Sequence, residues 1–493
     1  MDLSDLRVVL RDVGLLCVVV ALMAVGSIPV AVLFGEKFAL WPLVWTALVA
    51  LGLWAVFYWP FRGAGETRLR HGLFIAAFGW LLVSTLGALP LYLVSRHLSL
   101  VTHHLPYADF TSAFFEAVSG FTGTGLTMAL RPDLLPKTLQ WWRSFMEWVG
   151  GMGVIVVMIT ILAGPGISAA TLYYAEARTE KIHPSVRSTV RTMWWIYGFY
   201  TVLSILAFFA VGMPVWEALN HGMTGVATGG FSLWPDSLGR YRSWGVELVA
   251  IFSMLAGAIS FVVHYQMLRR GPAALWQDLQ TRWLLWGVVL GTGILGLALL
   301  RTFPPPTAFR TSTFQFVSAL TCTGFQTTDP GKFSEGGKLL LTLAMVVGGA
   351  AGSTAGGLKM LRLAVLVRGV AWQIRRLVSP PDAVLPCRFG SETLPAEKAY
   401  RKIGEAATLL FLWLAFLFLG AFLLSQFYPA RKFTLADFLF EVASAQGNVG
   451  LSTGITHPQM PTLAKLLLSF HMWLGRLEII PVLIFLRSLL RRR

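Results

Sequence analysis

The stretch SGFTGTGLT, residues 119–127, decides how this chain is read. Three Gly and three Thr in nine positions make a poor helix and a poor strand. Such a segment belongs in a surface loop, yet long apolar stretches flank it. Irregular backbone at lipid depth survives only inside protein or beside a water-filled cavity. Three further segments resemble this one. The four read FFEAVSGFTGTGLT (114–127), WEALNHGMTGVATGGFS (216–232), FQFVSALTCTGFQTTD (314–329) and FEVASAQGNVGLSTG (440–454). Aligned on the Gly before a Leu or Phe, they bring Gly125, Gly230, Gly324 and Gly450 into register. Nine residues before each Gly stands a polar side chain: Glu116, His221, Gln315 or Glu441.

A second register lies downstream, in EWVGGMG, SMLAGAIS, MVVGGAAG and MWLGRLEI. Gly151, Gly257, Gly349 and Arg476 follow their respective Gly by 26, 27, 25 and 26 residues. Matched segments with one downstream offset predict a fourfold internal repeat of helix, half-helix, irregular strand and helix. Helix packing through small residues accounts for Gly150–Gly151 or Gly348–Gly349 alone. It does not account for Thr and Ser clustered upstream of Gly in all four places.

Composition sets the surroundings. Of the 493 residues, 55% are hydrophobic and 13% charged, with 19 Trp. A soluble chain carries about twice that charged fraction. Apolar runs long enough to cross a hydrocarbon core of about 30 Å recur from end to end. The chain therefore reads as a polytopic helical membrane protein with no soluble domain large enough for an enzyme core, and not as an enzyme. The net charge of +16 is distributed in clusters. These are Arg62, Arg68 and Arg70; Arg178, Lys181, Arg187 and Arg191; Arg269, Arg270 and Arg282; Lys359, Arg362, Arg368, Arg375 and Arg376; and Arg491, Arg492 and Arg493. They alternate with loops poorer in basic residues, which predicts both termini in the cytoplasm and argues against nucleic-acid binding. Cys17, Cys322 and Cys387 are scattered and imply neither a disulfide framework nor a CxxC site. The first apolar run, Val13 to Phe34, is too long for a signal-peptide core and is expected to be retained.

The predicted fold is all-α and integral to the membrane. Ten transmembrane helices are expected, near 13–34, 38–60, 71–96, 138–163, 192–214, 244–268, 283–301, 336–363, 402–427 and 462–490. The last eight form four pseudo-fourfold helix–pore-helix–helix repeats around one central ion pore. This divides the chain into a two-helix extension (1–69) and pore repeats at 70–180, 181–272, 273–395 and 396–493.

Four extended strands around one axis, with carbonyls facing inward, replace the water shell of a dehydrated cation. Gly permits the backbone angles this requires, and Thr stiffens the strand. No ring of carboxylates appears, which disfavours a hard divalent ion. Each half-helix would direct the partial negative charge of its C-terminal end at the cavity. Glu116 and Glu441 either brace the filter strand from behind or cap and snorkel outward. Arg476 replaces the Gly of the other repeats, well inside the span 462–490. A lone Arg there faces a cavity or a partner. It places positive charge in the pore below the filter or pairs with an acid, although Glu478, two positions on, faces another side of the helix. GGAAGSTAGG, residues 348–357, cannot hold a regular helix well. It predicts a flexible gate under the filter, or a kink that serves packing alone.

With TGTG, ATGGF, TCTGF and GNVGL in the repeated segments, and WVGGMG, AGSTAGGLK and GRLEI after them, the chain resembles the bacterial Trk/Ktr potassium transporters over nearly its whole length. The two extra N-terminal helices make it more similar to the TrkH/TrkG branch than to KtrB. The resemblance implies potassium uptake across the bacterial inner membrane by a homodimer. It also implies gating by a cytoplasmic ring of TrkA-like, nucleotide-binding regulatory subunits that meet the basic inner loops, Arg178 to Arg191 and 359–402. No GxGxxG or P-loop in a soluble βαβ setting occurs in the chain itself, and potassium is its only expected ligand, as substrate. The implied filter is Thr122, Gly123, Thr124, Gly125; Ala227, Thr228, Gly229, Gly230; Thr321, Cys322, Thr323, Gly324; and Gly447, Asn448, Val449, Gly450. The implied gate comprises Gly348, Gly349, Gly352, Ser353, Thr354, Gly356 and Gly357, with Arg476 as the pore arginine. Gly123 stands where the resemblance leads one to expect Thr, which loosens the first strand and its preference for potassium over sodium or rubidium.

Two other functions compete. The channel-like subunit of an ATP-driven potassium pump shares the repeat plan, but AGSTAGGLK and the N-terminal helix pair favour a Trk-type uptake system, passive or coupled by symport. A membrane enzyme needs clustered His, Asp or Ser at membrane depth. His103 and His104 are adjacent, but they fall in an outer loop.

Overall fold

A computed structural model describes residues 3–99, 106–153, 156, 158, 169–175, 182–300, 303–380, 385–389, 392–429 and 432–490. His103, His104, Arg178, Lys181 and Arg491 to Arg493 lie outside the described residues, as does most of the inner end of the expected span 138–163. Among the described residues the regular structure is helical apart from one antiparallel hairpin, Cys387–Phe389 with Glu392–Leu394.

Among the described residues six helices are long and apolar enough to cross a membrane: Leu3–Leu33, Lys37–Phe61, Leu69–Leu98, Val186–Ala210, Leu279–Leu299 and Ala396–Ser425. Large apolar side chains such as Trp41, Trp195 and Phe411 stand exposed on them, as hydrocarbon surroundings allow. Two bent pairs bring the number to at most eight. Trp244–Ala258 and Phe261–Arg270 meet at 103°, and Thr462–Arg476 and Ile480–Ser488 meet at 115°.

The spans expected near 244–268, 336–363 and 462–490 are thus not continuous helices. The span near 336–363 is interrupted by twelve residues between Glu335–Val347 and Met360–Leu377. The helix expected over 138–163 stops at Met152, where Gly153 turns to φ 94°. These four helices all break at a similar distance beyond the aligned Gly. The breaks at Ile259 and Leu477 each follow a Gly by two residues, Gly257 and Gly475, and Pro481 denies the Leu477 carbonyl its helical donor; the Phe261 amide, 3.1 Å from the carbonyl of Gly352, adds a tertiary contact at the first break.

Each of the four quoted segments forms a short helix at the place expected for a pore helix: Phe110–Thr122, Val215–Val226, Pro305–Leu320 and Leu435–Gly447. The first is capped by Asp109, which accepts from the amide of Ser112 at 2.8 Å. The fourth has a complete capping box between Thr434 and Asp437, which satisfies two otherwise orphaned amides. The second and third start just after or at Pro residues, which suit a first helical turn.

The N-terminal helix pair is fastened at both ends. Glu36, in the turn between its helices, accepts from the amides of Lys137 (2.7 Å) and Thr138 (2.8 Å) and so caps a helix that has no cap of its own. At the opposite end Arg11 pairs with Asp12 (2.7 Å) and donates to the carbonyls of Ala64 (2.7 Å) and Gly65 (3.1 Å). Thr67 closes the group by donating to Asp12 at 2.6 Å. A buried charge pair of this kind persists because its remaining polar atoms are also bonded.

Candidate functional site

The four Gly-rich segments have one backbone plan. The second position of each predicted filter quartet is left-handed: Gly123 (φ 67°), Thr228 (50°), Cys322 (54°) and Asn448 (53°). The fourth is left-handed again: Gly125 (83°), Gly230 (83°), Gly324 (86°) and Gly450 (97°). The third-position amide of each quartet returns to its pore helix. Thr124 N donates to Ser119 O (2.8 Å), and Gly229 N to Thr224 O, Thr323 N to Ser318 O and Val449 N to Ser444 O (2.9 Å each).

These strands close a ring. A Cβ built on Gly125 would lie 2.1 Å from the carbonyl oxygen of Gly229. From Gly230 the distance to Thr323 O is 1.9 Å, from Gly324 to Val449 O 2.0 Å, and from Gly450 to Thr124 O 2.3 Å. The order runs first to second to third to fourth and back to first. Glycine is needed here on two independent grounds, the positive φ and the absence of room for a methyl group. All four Gly line one vestibule of about 390 Å³. The quartet side chains of Thr122, Thr124, Ala227, Thr228, Thr321, Cys322, Thr323, Asn448 and Val449 are buried, leaving the backbone as the accessible polar surface of the ring.

The side chains nine residues upstream brace the strands from behind. Glu116 accepts from the hydroxyl of Thr127 (2.8 Å) and the amide of Met128 (2.7 Å). Gln315 accepts from the amide of Thr327 (3.0 Å). Glu441 accepts from the hydroxyl of Ser452 (2.8 Å) and the amides of Thr453 and Thr456 (3.0 Å each). His221 Nε2 sits 2.9 Å from the hydroxyl of Ser232. Of the two roles open for the glutamates, bracing is the one their contacts display.

Sequence reasoning missed the residues that join neighbouring quarters. Arg143 donates to Glu116 at 2.7 Å, stacks 4.1 Å over the ring of Phe231 and reaches the carbonyl of Ser232 at 3.3 Å. Glu147, four residues on, accepts from the amide of Phe231 at 3.0 and 3.2 Å. A second ring repeats the cyclic order at the N-terminal halves of the four short helices. Trp216 donates to Gln140 (2.8 Å), Arg310 pairs with Glu247 (2.7 Å), Lys338 with Asp437 (2.7 Å), and Lys465 donates to Ser112 (2.7 Å). The available signal was ionisable or amide side chains at similar offsets after each aligned Gly, in otherwise apolar helices.

Residues 348–359 lie beneath the ring and are not a loose tether. The amide of Ala350 donates to Ala258 O (2.9 Å), that of Thr354 to Gly257 O (3.1 Å), and that of Phe261 to Gly352 O (3.1 Å). The Thr354 hydroxyl reaches the carbonyls of Gly257 (2.9 Å) and Val226 (3.1 Å). Gly356 packs so closely on Gly447 that a Cβ would meet its carbonyl oxygen at 2.0 Å. The remaining predicted loop residues share this fold: Gly348 and Gly357 pack on one another at φ 72° and 77°, Gly349 accepts from the amide of Met360, and the hydroxyl of Ser353 donates to Ala350.

Arg476 is not mid-helix. It is the last residue of Thr462–Arg476, immediately before the break at Leu477. Its guanidinium donates to the carbonyl of Gly150 at 2.5 Å and lies 5.1 Å over the ring of Trp80. Glu478 pairs instead with Arg362. Lys359 stands within electrostatic reach of Arg476, Arg362 and Glu478, so three cations and one carboxylate gather on the loop side of the ring. Among the described residues no group of three or more His, Cys, Asp or Glu side chains is arranged to hold a metal ion.

The sequence model of the TrkH family, described as a cation transport protein, matches residues 45–492. The chain is 32% identical to the Trk system potassium uptake protein TrkH of Halomonas elongata, over 97% of this chain and 98% of that one. It is 31% identical to the Trk system potassium uptake protein TrkG of Escherichia coli, over 98% of each. An uncharacterized cation transporter of Methanocaldococcus jannaschii is 33% identical over 86% of this chain and 83% of its own length. The crystal structure of the potassium transporter TrkH from Vibrio parahaemolyticus aligns over the whole of both chains with a TM-score of 0.84 at 28% identity. With its four-strand ring, its interrupted helices and a family match over nearly its full length, the chain belongs to the TrkH family of cation transport proteins.

Proposed function

We propose that this protein takes up potassium across the inner membrane through the ring formed by Thr122–Gly125, Ala227–Gly230, Thr321–Gly324 and Gly447–Gly450. The observation that carries the reading is ring closure: each fourth-position Gly abuts the third-position carbonyl of the next strand, in one cyclic order. Backbone carbonyls held at such a spacing replace a cation's hydration shell. The C-terminal ends of four pore helices converge on the ring, and their partial negative charge lowers the cost of dehydration there. Glu116, His221, Gln315 and Glu441 hold the strands so that the oxygens do not collapse onto a smaller ion.

In this reading each quarter is one helix–pore-helix–helix unit, with boundaries at 70–180, 181–272, 273–395 and 396–493 after an extension at 1–69. The interrupted helices complete a set of ten spans. Residues Gly348–Gly357 form the gate, and Arg476 with Lys359 limits cation occupancy below the ring. A homodimer, and a cytoplasmic TrkA-like subunit that binds nucleotides and pulls on the gate, complete the system. The full-length relatives are named for Trk potassium uptake, so a subunit of an ATP-driven pump is not favoured.

The test is potassium-limited growth of cells lacking other uptake systems, complemented with Gly230→Ala or Gly324→Ala. Both methyl groups would collide with a ring carbonyl, and both variants are expected to reach the membrane and fail to support growth. Gly293→Ala, on a helix face with open space around it, is expected to grow as the parent does. Growth of the two ring variants on limiting potassium would remove the filter assignment.

A further inference from the structure

We propose that a lateral groove on the third quarter binds an anionic phospholipid, with an acyl chain in the groove and the phosphate on Arg282. The groove measures about 410 Å³ and is lined by apolar side chains from the span Leu279–Leu299, the third pore helix and both helices flanking residues 348–359. Trp286, Leu290 and Leu343 form its rim and are more than half exposed, on helices whose free surface faces hydrocarbon. Its floor is Phe316 and Leu320, both buried. An apolar cleft of this size in contact with a bilayer is filled by hydrocarbon, because an empty one forfeits dispersion contacts on every wall.

Arg282 specifies the headgroup. It lies one helical turn before Trp286, hence on the same side of the helix as the groove wall. Its Nε is buried and has no hydrogen-bond partner among the described residues. The enclosed Nε leaves the outer edge of the guanidinium, whose terminal nitrogens are not among the buried unpartnered atoms, to meet a headgroup, and a phosphate oxygen is the acceptor that its planar fork fits best. Arg282 also stands at the level of the loop: Gln280, two residues earlier, accepts from the amide of Ala351 at 2.7 Å. The depth is therefore that of the basic inner loops, where anionic headgroups lie. Val347 and Met360, the residues on either side of the loop, both line the groove. They are joined through the Lys359 amide, which donates to Val347 O at 3.0 Å. An acyl chain in the groove therefore packs against both stems of the loop.

The site is tested by binding, independently of transport. The full-length protein in detergent is titrated with phosphatidylglycerol or with phosphatidylcholine of the same chains, and retained lipid is counted by native mass spectrometry. The parent is expected to prefer phosphatidylglycerol by about fivefold, the scale of one basic contact to an anionic headgroup. Arg282→Gln should remove the preference, and Arg282→Lys should keep most of it. Gly287→Leu fills the groove and should reduce retention of both lipids. Leu343→Trp fills it from the exposed rim, without disturbing buried packing, and should do the same. Equal retention of the two lipids by the parent would overturn the proposal, as would a preference that survives Arg282→Gln. So would a Leu343→Cys variant that crosslinks two copies of the chain face to face, because the groove would then be a subunit interface.

Discussion

The hydroxyl of Thr228 donates to that of Thr354 across 3.0 Å. One residue belongs to the second strand of the ring and the other to the loop beneath it. Thr354 also reaches the carbonyls of Val226 and Gly257, so a single side chain ties the loop to a pore helix, a ring strand and a broken helix.

Thr354→Val keeps the shape of this residue and removes its hydroxyl. The loss of one or two hydrogen bonds weakens the closed arrangement by about 1–2 kcal/mol, on the order of tenfold in the loop's equilibrium. The expected outcome is a raised basal flux of radioactive rubidium into proteoliposomes that contain no regulatory partner. A flux equal to the parent's would mean that the loop does not close the pore.

Gly123 is the second-position residue whose absent side chain suggested a loose first strand. The structure holds it at φ 67°, and the three non-Gly residues at the matching positions adopt φ of 50–54°. The nearest atom to an added Cβ lies 3.9 Å away. Gly123→Thr is therefore sterically accommodated at a strain cost of about 1 kcal/mol. It should retain uptake, lower the unfolding temperature slightly and leave the preference for potassium over sodium unchanged. A sharp gain in that preference, read from competition fluxes, would favour the loose-strand reading.

Arg476→Gln keeps a donor for the carbonyl of Gly150 and removes the charge. Cation flux is expected to rise severalfold, with the unfolding temperature near that of the parent. Unchanged flux together with a lowered unfolding temperature would make Arg476 a packing residue that stacks on Trp80.

Asp437 and Lys338 are both mostly buried where the third and fourth quarters meet. Asp437→Ala leaves the Lys338 ammonium with Glu335 alone, 3.5 Å away, and opens the capping box with Thr434; together these should cost about 3 kcal/mol in stability. In thermal unfolding the double variant Asp437→Ala/Lys338→Met should recover the part due to the buried charge and not the part due to the cap. If the two single substitutions simply add, the pair is not coupled.

The ring was legible in the sequence because its conditions are severe. Two left-handed positions per strand, and no room beside Gly125, Gly230, Gly324 and Gly450, leave few residue types admissible. The same pattern had to appear four times. The helix breaks at Ile259 and Leu477 were not legible, because Gly257, Gly475 and Pro481 are residues that membrane helices tolerate and the contact of the Phe261 amide with Gly352 comes from another quarter. The Gly-rich break at 348–357 was found from composition, but not its tethering, which depends on backbone carbonyls of another quarter. Arg143 and Glu147 were passed over because their partners, Glu116 and the amide of Phe231, lie in separate segments that only the closed ring brings together.

The most direct test of the central claim is the position of a bound cation. Crystals or frozen samples of the full-length protein in rubidium would be searched for anomalous or difference density. Density is expected on the ring axis, between the carbonyls of the four third-position residues Thr124, Gly229, Thr323 and Val449. A ring axis empty of density in fully rubidium-exchanged protein, with the ion bound elsewhere, would contradict it.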